Sequence, residues 1–475
     1  MRAAPTLALL LLATPALAQT PSPIAAPSAA RPARTAGPGM IPLPLPQGTR
    51  VLSLDAAERL LLERNLNVVA AQRGVDAVRA QRLVASSLPP PQISVGNNFA
   101  EFNTTQGNRV QGARFISPAN NIAVGLTGLI ELGGKRTLRT RLAEENIGVA
   151  EALVLDTLRG QFFALRQAFI AALGARANLE VALGNRGSLD RTEALLRRQL
   201  QDGALPEGDL LRFQASRLPF EADVTGAALA YAAAVAQVAV ALSMDAAAFT
   251  SSQGQGALPP VALDVRGRFD AMPTPGVTRD ELAEAVQNRA DVVAATRAAA
   301  AGAANTSLAE AQRWRDVTLN GGWSRSRLSQ DLPSASEPLN ATNQFTFSLS
   351  VPLFTNQIVT GNIGTAAGQQ AQLEAQARQA LLRGRVDFAT AWAAYEQSRA
   401  LLRLYTGGAL NRAELAYRSA EQAYLAGGRS LLDVLDALRT LNATRVAANN
   451  ARAAYLTALA QLEFATGVSG VAARL

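Results

Sequence analysis

The 475-residue chain contains no cysteine and no histidine, and aromatic residues make up only 5% of it. Without cysteine there are no disulfides, no thiol catalysis, no thiolate metal sites and no acylated N-terminal cysteine. Without histidine, serine triads and most transition-metal sites lack their commonest participant. The 45 basic and 37 acidic residues are scattered and form no evident nucleic-acid-binding patch. We therefore expect no enzyme activity, cofactor, metal site, lipid anchor or nucleic-acid partner.

Long apolar runs are scarce as well. The run from Leu7 to Leu12 follows Met1-Arg2 and precedes Ala16-Leu-Ala18, which is typical of a secretory signal peptide over residues 1–18. It is shorter than the ~20 residues that a membrane-spanning helix needs, and no later run of that kind is apparent. Residues 19–50 are rich in proline, alanine and serine, and they predict an extended segment without a packed core.

The chain carries an internal repeat of about half its length. Gly203 and Asp209 in one segment match Gly427 and Asp433 in another, and both pairs are separated by the same interval. A repeat this long indicates a duplicated module, since solenoid repeats have periods of roughly 20–50 residues. The predicted parts after residue 50 are a first repeat at 51–250, a linker at 251–276, a second repeat at 277–467 and a tail at 468–475.

Hydrophobic periodicity predicts the same order of elements in each half, namely helix, strand, strand, long helix and return helix. In the first half the long helix spans about 137–202, roughly 100 Å at 1.5 Å per residue. Such lengths favour coiled-coil packing. The predicted helices are 53–87, 137–202, 209–242, 364–425 and 431–466, and the strands cover about 92–99, 121–132, 316–324 and 344–353.

The strands alternate apolar and polar residues, so each has one apolar face. Four strands cannot close a barrel in one chain, and an open sheet edge in lipid would leave backbone groups unsatisfied. Several chains sharing one barrel would solve both problems. The alternative is a soluble periplasmic or surface trimeric coiled coil, serving as a structural stalk or adhesin. The aromatic residues beside the strands fit membrane girdles and core packing equally well: Phe99, Phe102, Trp314, Trp323 and Phe354.

Several motifs resemble those of TolC-type outer membrane efflux proteins. They include Leu52-Ser-Leu-Asp55-Ala-Ala at the first helix, Val351-Pro-Leu-Phe354 after the fourth strand, and the run from Tyr424 through Gly427-Gly-Arg429-Ser-Leu-Leu-Asp433 to Ala437. The run Leu129-Ile-Glu131-Leu-Gly133-Gly134-Lys135-Arg136 resembles the strand-to-helix step of members that serve heavy-metal exporters. The likeness extends over residues from about 50 to 467.

The resemblance implies an α+β membrane protein with an internally duplicated protomer. Three protomers would form a trimeric 12-stranded transmembrane β-barrel, continuous with a long periplasmic α-helical coiled-coil barrel. Its function would be the passive exit duct of a tripartite efflux system. Its partners would be a periplasmic adaptor, an inner-membrane pump and lipid of the Gram-negative outer membrane. The exported substrate is not implied.

The resemblance also assigns residues at the helix-turn tips. The periplasmic gate would comprise Asp209, Tyr424 and Arg429, with Arg429 and Asp209 as a latch. Asp433 and Asp436 would form an acidic pore ring, whereas the alternative is that Asp433 caps the return helix and Asp436 lies on its solvated face. In the first half Arg212 stands where Asp436 stands in the second. The adaptor-docking turns would contain Gly203, Gly208, Gly427 and Gly428.

Overall fold

The computed structural model describes residues 49–98, 121–203, 206–244, 263–270, 272–326, 329–332, 335–338, 342–426 and 428–475. Its helices are α1 (Leu54–Arg64), α2 (Leu66–Ser86), α3 (Lys135–Gln201), α4 (Glu207–Ala241), α5 (Arg279–Ala285), α6 (Ala290–Ala311), α7 (Asn356–Leu404), α8 (Leu410–Leu425) and α9 (Leu431–Thr466). Its strands are β1 (Arg50–Leu52), β2 (Gln92–Asn98), β3 (Asn121–Ile130), β4 (Leu263–Val265), β5 (Val317–Ser326), β6 (Ser329–Leu332), β7 (Ala335–Pro338) and β8 (Thr342–Ser350).

The two halves of the chain share one order of elements. The number of residues between the starts of α2 and α6 is the same as that between the starts of α4 and α9. The starts of α1 and α5 are separated by nearly the same number. This interval also separates the matching sequence motifs. The strand pair β2 and β3 precedes the long helix α3, just as β5 and β8 precede α7. The protomer is therefore internally duplicated.

One four-stranded antiparallel sheet combines both halves, in the order β2-β3-β5-β8. The sequence predicts a strand pair in each half, and the pairing of β3 with β5 joins the two pairs. The outer strands β2 and β8 each have one unpaired edge within this sheet. An unpaired edge exposes backbone donors and acceptors, so the sheet is suited to continue into another protomer.

The sheet has one apolar and one polar face. The strand register aligns apolar residues in two neighbouring rows: Val95, Val124, Trp323 and Phe345 in one, and Ile93, Leu126 and Phe347 in the other. Ile93 is 75% exposed and Phe347 is 84% exposed. On the other face Thr127 donates to the Asn320 side-chain oxygen at 2.8 Å, and Asn320 donates to Ser348 at 3.3 Å. The apolar face needs a non-aqueous neighbour.

The first helical stretch is broken, where the sequence predicted one helix over 53–87. Asn65 has ψ of 117°, outside the helical region, so α1 ends and α2 begins there. Its side chain accepts hydrogen bonds from the backbone of Asn67 and Val68 at 3.0 and 3.1 Å. Its amide group also donates to Gln161 at 3.0 Å and to the Ala241 carbonyl at 2.8 Å. The apolar periodicity continues across this break and therefore does not reveal it. The hydrogen bonds that fix the break join Asn65 to residues far away in the sequence.

The long helix of the second half also differs from the prediction of 364–425. It begins earlier, at Asn356, and a wide turn over Tyr405–Ala409 separates α7 from α8. Gly408 has φ of 123°, which only glycine adopts readily. By contrast, α3 runs unbroken for 67 residues, roughly 100 Å at 1.5 Å per residue.

Helix α4 is more apolar than the sequence analysis recognised. An 18-residue window of it has a mean hydropathy of 1.7, so by length and composition it is apolar enough to cross a membrane. It packs lengthwise on α3 as the second arm of a hairpin, burying Phe213, Phe220 and Tyr231. Leu218 and Leu229 remain exposed on it. One side of the helix is core, and the other is left for a further apolar neighbour.

A buried charge cluster fastens the linker between the halves. Strand β4 pairs in parallel with β1, and Asp264 on β4 is completely buried. Its carboxylate pairs with Arg176 of α3 and with Arg266, and it accepts a hydrogen bond from the Tyr231 hydroxyl at 2.9 Å. Burial, followed by the charge of Asp264, raises the pKa of Tyr231. These bonds satisfy a charge that would otherwise be costly to bury.

The last residues pack against the same region. Val471 and Ala473 are buried, and the Glu463 carboxylate accepts hydrogen bonds from the backbone of Gly470 and Ala472 at 3.1 and 2.8 Å. Arg166 of α3 contacts the same carboxylate at 2.5 Å. The tail thus joins the core formed by the middle of the long helices.

Candidate functional site

The residues that the sequence singled out lie where α3 and α8 end and α4 and α9 begin. Because α3 starts beside the sheet and is about 100 Å long, these tips lie far from the sheet. A small apolar core joins the two hairpins near the tips, and its buried members are Leu189, Leu196, Leu210, Phe213, Phe220, Leu435 and Leu438. Helices α3, α4, α8 and α9 meet around this core and thereby position every predicted gate residue.

Two of the three predicted gate residues interact electrostatically. Tyr424, in the last turn of α8, packs half-buried against the tip core. Desolvation raises the pKa of the Tyr424 phenol, and the negative charge of Asp209 adds to the effect. Asp209, in the first turn of α4, lies 3.7 Å from the Arg212 guanidinium. The charge of Asp209 on the first hairpin thus acts on Tyr424 of the second.

Arg429, the third predicted gate residue, is exposed in the turn between α8 and α9. It makes no ion pair with a described residue of its own protomer, whereas Asp209 is paired with Arg212. Within the described part of one protomer the predicted latch between Arg429 and Asp209 is therefore not formed. A latch between these residues would have to join two protomers.

Asp433 caps helix α9, which is the alternative that the sequence left open for it. Its carboxylate accepts hydrogen bonds from the Ser430 backbone at 3.2 Å and from the Ser430 hydroxyl at 3.1 Å. In return, the Asp433 backbone donates to the Ser430 hydroxyl oxygen at 3.3 Å. Asp433 nevertheless stays exposed and free of ion pairs with described residues. The position of a carboxylate in the first turn also complements the dipole at the helix N-terminus.

Asp436 lies one turn further along α9, on the same side as Asp433. It is exposed, and its carboxylate has no hydrogen-bond or ion-pair partner among the described residues. Two carboxylates without ion-pair partners in the described chain, one turn apart, concentrate negative charge at the start of α9. The corresponding side of α4 carries Asp209 with Arg212, so the two hairpins differ in charge.

The predicted docking turns have unequal geometry. Gly203 has φ of 73°, a left-handed conformation that favours glycine. Gly208 lies inside the first turn of α4, where an added methyl group would meet nothing within 4 Å among the described residues. In the second turn Gly428 donates to the Ala423 carbonyl at 2.8 Å. Gly427 lies outside the described residues.

The first hairpin contains a charge network that was not predicted from the sequence. Glu193 of α3 is only 8% exposed, and it accepts hydrogen bonds from Arg217 at 2.6 Å, Arg197 at 2.7 Å and Gln214 at 3.0 Å. The bond from Gln214, together with the arginines, lowers the pKa of Glu193 despite burial. Glu193 and Arg197 are four residues apart on a predicted helix, and this spacing indicates an ion pair that could have been predicted.

Arg217 extends this network along the hairpin. Its guanidinium also contacts Asp190 at 2.5 Å and Glu221 at 2.8 Å, and these carboxylates help to raise its pKa. In the second repeat Tyr417 occupies the position that matches Glu193, and Tyr417 donates to Glu421 at 3.3 Å. The arms of the first hairpin are thus linked by charge, and the matching site of the second has a neutral phenol.

The described residues contain no group of three or more cysteine, histidine or acidic side chains that could hold a metal ion. The tips consequently offer an apolar core, exposed carboxylates and exposed arginines, but no visible coordination site within that part of the chain. Such a combination is suited to contacts with other proteins and to the passage of ions.

Comparisons with known proteins agree on one family. Residues 282–468 match the family model for the outer membrane efflux protein. Over these residues the chain is an outer membrane efflux protein domain. It is 25% identical over 414 residues to the cobalt-zinc-cadmium resistance protein CzcC of Cupriavidus metallidurans, covering 86% of this chain and 88% of CzcC. It is 24% identical to nodulation protein T of Rhizobium leguminosarum bv. viciae, covering 81% of this chain and 75% of that protein.

The fold is that of solved outer membrane channels. The crystal structure of CusC superposes with a TM-score of 0.68 at 20% identity, covering 87% of this chain and 92% of CusC. The predicted architecture is confirmed: a trimer in which three four-stranded sheets form a twelve-stranded barrel, continuous with a helical barrel. Barrel closure brings β2 of one protomer to β8 of the next, because these are the edge strands.

This outer membrane efflux protein is a channel and not an enzyme. Such trimers work with a periplasmic adaptor and an inner-membrane pump, and they combine an outer-membrane barrel with a periplasmic portion. The soluble stalk or adhesin alternative is therefore not supported.

Proposed function

We propose that the helical tips are the periplasmic gate of this efflux channel and that the gate selects for cations. Asp209, Tyr424 and Arg429 would close the tube, and Asp433 and Asp436 would line its narrowest point as stacked acidic rings. A ring of carboxylates attracts cations and repels anions where a pore is narrow. Arg429 of one protomer would compete with Arg212 for Asp209 of the next.

The observation that carries the proposal is the pair of carboxylates at the start of α9. Both are exposed and without an ion-pair partner among the described residues, so their charge is available to a passing ion. The cap at Ser430 supports the ring for a further reason, because it fixes the position of the Asp433 carboxylate. Three symmetry-related exposed pairs of Arg429 and Asp209, each worth only ~0–1 kcal/mol, would hold a closure that a partner could open.

Single-channel recording in a planar bilayer tests the ring. We compare the native trimer with a variant carrying Asp433→Asn and Asp436→Asn, since asparagine removes the charge and still accepts the capping bonds at Ser430. The expected result is a reversal potential in a salt gradient that loses its cation preference. Asp76→Asn is the matched control, because Asp76 is exposed on α2 and pairs only with Arg73 of the same helix among the described residues.

Two outcomes contradict parts of the proposal. Cation preference that survives the double substitution would place the selective constriction elsewhere in the tube. Well-folded trimers that fail to insert into the bilayer would contradict the channel function itself. The control variant should conduct like the native protein, and a loss of selectivity there would indicate a general charge effect.

We infer that the adaptor meets the channel at the two turns containing Gly203, Gly208, Gly427 and Gly428. Exposure of the described turn residues supports this assignment, as does the left-handed Gly203, which makes the first turn tight. The charge network around Glu193 gives the first hairpin a different surface from the second. An adaptor would therefore find two distinct grooves around the trimer.

We also propose the division of the chain into a signal peptide at 1–18, an extended segment at 19–50, repeats at 51–250 and 277–467, a linker at 251–276 and a tail at 468–475. The constant spacing of helix starts supports the repeats. With no cysteine to acylate in the sequence, the apolar sheet face is the proposed means of attachment to outer-membrane lipid. We propose no nucleic-acid partner, because the charges are scattered.

The cargo proposal follows from the acidic rings and one relative. CzcC, 25% identical, is named a cobalt-zinc-cadmium resistance protein. We propose divalent metal cations as cargo of this channel, passing through the rings without being bound. Conductance measured with Zn²⁺ as the permeant cation tests this, and complete exclusion of Zn²⁺ would contradict it.

A further inference from the structure

The junction between the sheet and the long helices has an exposed apolar border. We call this border the junction row. Each of the four strands contributes to it at the end that faces the helices, and its members are Leu88, Ile130, Leu132, Trp314, Leu353 and Phe354. Their exposure runs from 40% for Leu132 to 95% for Phe354. A row of this kind marks a surface that meets an apolar partner.

Phe354 adopts a conformation that bulky residues avoid. Its φ is 58°, and it lies two residues before α7 begins. In the first half Gly133 lies two residues before α3 and has φ of 75°. The left-handed residue two positions before the long helix is thus glycine in one half and an almost fully exposed phenylalanine in the other. A bulky residue held in this region is a strained outlier, which points to a function for the side chain.

Three arginines lie beside the other junction, one at the start of α3 and two just before β5. Leu132 donates its backbone N–H to the Asp316 carboxylate at 3.1 Å, Lys135 pairs with Asp316 at 2.8 Å, and Glu131 pairs with Arg139. Asp316 and Glu131 are thus already partnered. The remaining cations make no ion pair with a described residue and are called here the arginine collar: Arg136, Arg313 and Arg315.

The collar and Trp314 lie together at the ends of the central strands. A methyl group on Gly133 would stand only 2.7 Å from the Trp314 ring, so the indole packs directly over this glycine. Trp314 is still 64% exposed. The unpaired edges of the sheet belong to β2 and β8, whereas Trp314 and the collar lie at the ends of the central strands β3 and β5. This surface is therefore separate from the edges at which the sheet is suited to continue into another protomer.

We propose that the arginine collar binds the phosphate groups of anionic phospholipids at the periplasmic surface of the membrane, while Trp314 and Phe354 insert at the boundary with the acyl chains. Guanidinium groups match phosphate geometry, and aromatic rings favour the membrane interface. The proposal rests on the outer-membrane position of the channel. It adds a defined lipid site where the barrel meets the helical tube.

Native mass spectrometry of trimers released from mixed vesicles tests the site. The vesicles contain equal amounts of phosphatidylglycerol and phosphatidylcholine, and the readout is the number of each lipid retained per trimer. We expect several-fold more phosphatidylglycerol on the native trimer. The collar variant, Arg136→Gln with Arg313→Gln and Arg315→Gln, should retain the two lipids equally. Inorganic phosphate at millimolar concentration should not displace the lipid, because it lacks acyl chains.

The matched control removes the same charge from the helical tube. Its changes are at exposed arginines without an ion pair to a described residue: Arg59→Gln, Arg198→Gln and Arg439→Gln. It should retain phosphatidylglycerol like the native trimer. Equal retention of both lipids by the native trimer, or displacement by inorganic phosphate, would overturn the proposal. So would dissociation of the collar variant into monomers, because the arginines would then serve protomer contacts.

Phe354→Gly gives a test that does not depend on the arginines. Glycine relieves the strained φ, so the variant should unfold at a higher temperature, and it should retain less of both lipids. A variant that keeps the native lipid count contradicts insertion of Phe354. Conductance recorded on all variants separates the two proposals, since the collar and Phe354 variants should keep the cation selectivity that depends on Asp433 and Asp436.

Discussion

The substitution Glu193→Gln examines how the first hairpin is held together. Glu193 is buried between α3 and α4 and accepts three hydrogen bonds, of which those from Arg217 and Gln214 come from the opposite arm. Glutamine keeps the size of the side chain and one acceptor oxygen, but it removes the charge. The expected result is more frequent separation of the two arms near the tip.

The magnitude follows from the partners that remain. A hydrogen bond to a charged group contributes about 1.5–3 kcal/mol. Arg217 keeps Asp190 at 2.5 Å and Glu221 at 2.8 Å, so it is not left as an unpaired charge. Arg197 is 62% exposed and contributes little. We expect a loss of about 1–2 kcal/mol in local stability, which corresponds to roughly 5–30-fold faster opening.

Hydrogen exchange of backbone amides in α3 and α4, followed by mass spectrometry on the intact trimer, measures this opening. The matched control is Tyr417→Phe, at the corresponding position of the second hairpin, which removes only the 3.3 Å bond to Glu421. We expect α8 and α9 to exchange at nearly native rates in this control. Unchanged exchange in the Glu193 variant, or equal acceleration in both variants, would refute the reasoning.

The pH dependence gives a second check on the same variant. The folded state lowers the pKa of Glu193, so its stabilising contribution is present above the unfolded value of about 4.3 and is lost as pH falls through the folded value. The difference in opening between native and Gln variant should therefore shrink below pH ~4. A difference that stays constant down to pH ~3 would show that packing, and not charge, is responsible.

Four further substitutions have expected outcomes. Tyr231→Phe removes a buried donor to Asp264 and should cost about 1–3 kcal/mol, read from thermal unfolding; an unchanged midpoint contradicts the role of the hydroxyl. Gly203→Ala forces a side chain into the left-handed region, and it should destabilise the tip by about 1 kcal/mol as measured by hydrogen exchange. Gly208→Ala lies inside a helix and should be neutral or mildly stabilising in the same measurement. Arg429→Glu should raise single-channel conductance by loosening the closure, and conductance like that of the native channel counts against the latch.

Local pattern was enough to predict most elements of this protein. The long helix predicted over 137–202 is observed as Lys135–Gln201, and the return helix predicted over 431–466 is observed with those bounds. Alternation in the strands likewise predicted an apolar face. Each of these features depends on residues a few positions apart in the chain. The spacing of apolar residues differs between helices and strands, so it indicates the secondary structure directly. The duplication was also visible in the sequence, because matching motifs recur at one constant interval along the chain.

The tertiary structure decided what depends on residues far apart in the chain. Asn65 breaks a periodic helix because its amide group bonds to Gln161 and Ala241. Asp209 is paired with Arg212 within its own helix, which the tip motif did not indicate. Periodicity records which side of an element is apolar, but it does not record which distant group that side meets. The pairing of β3 with β5 and the burial of Glu193 therefore came only from the folded chain.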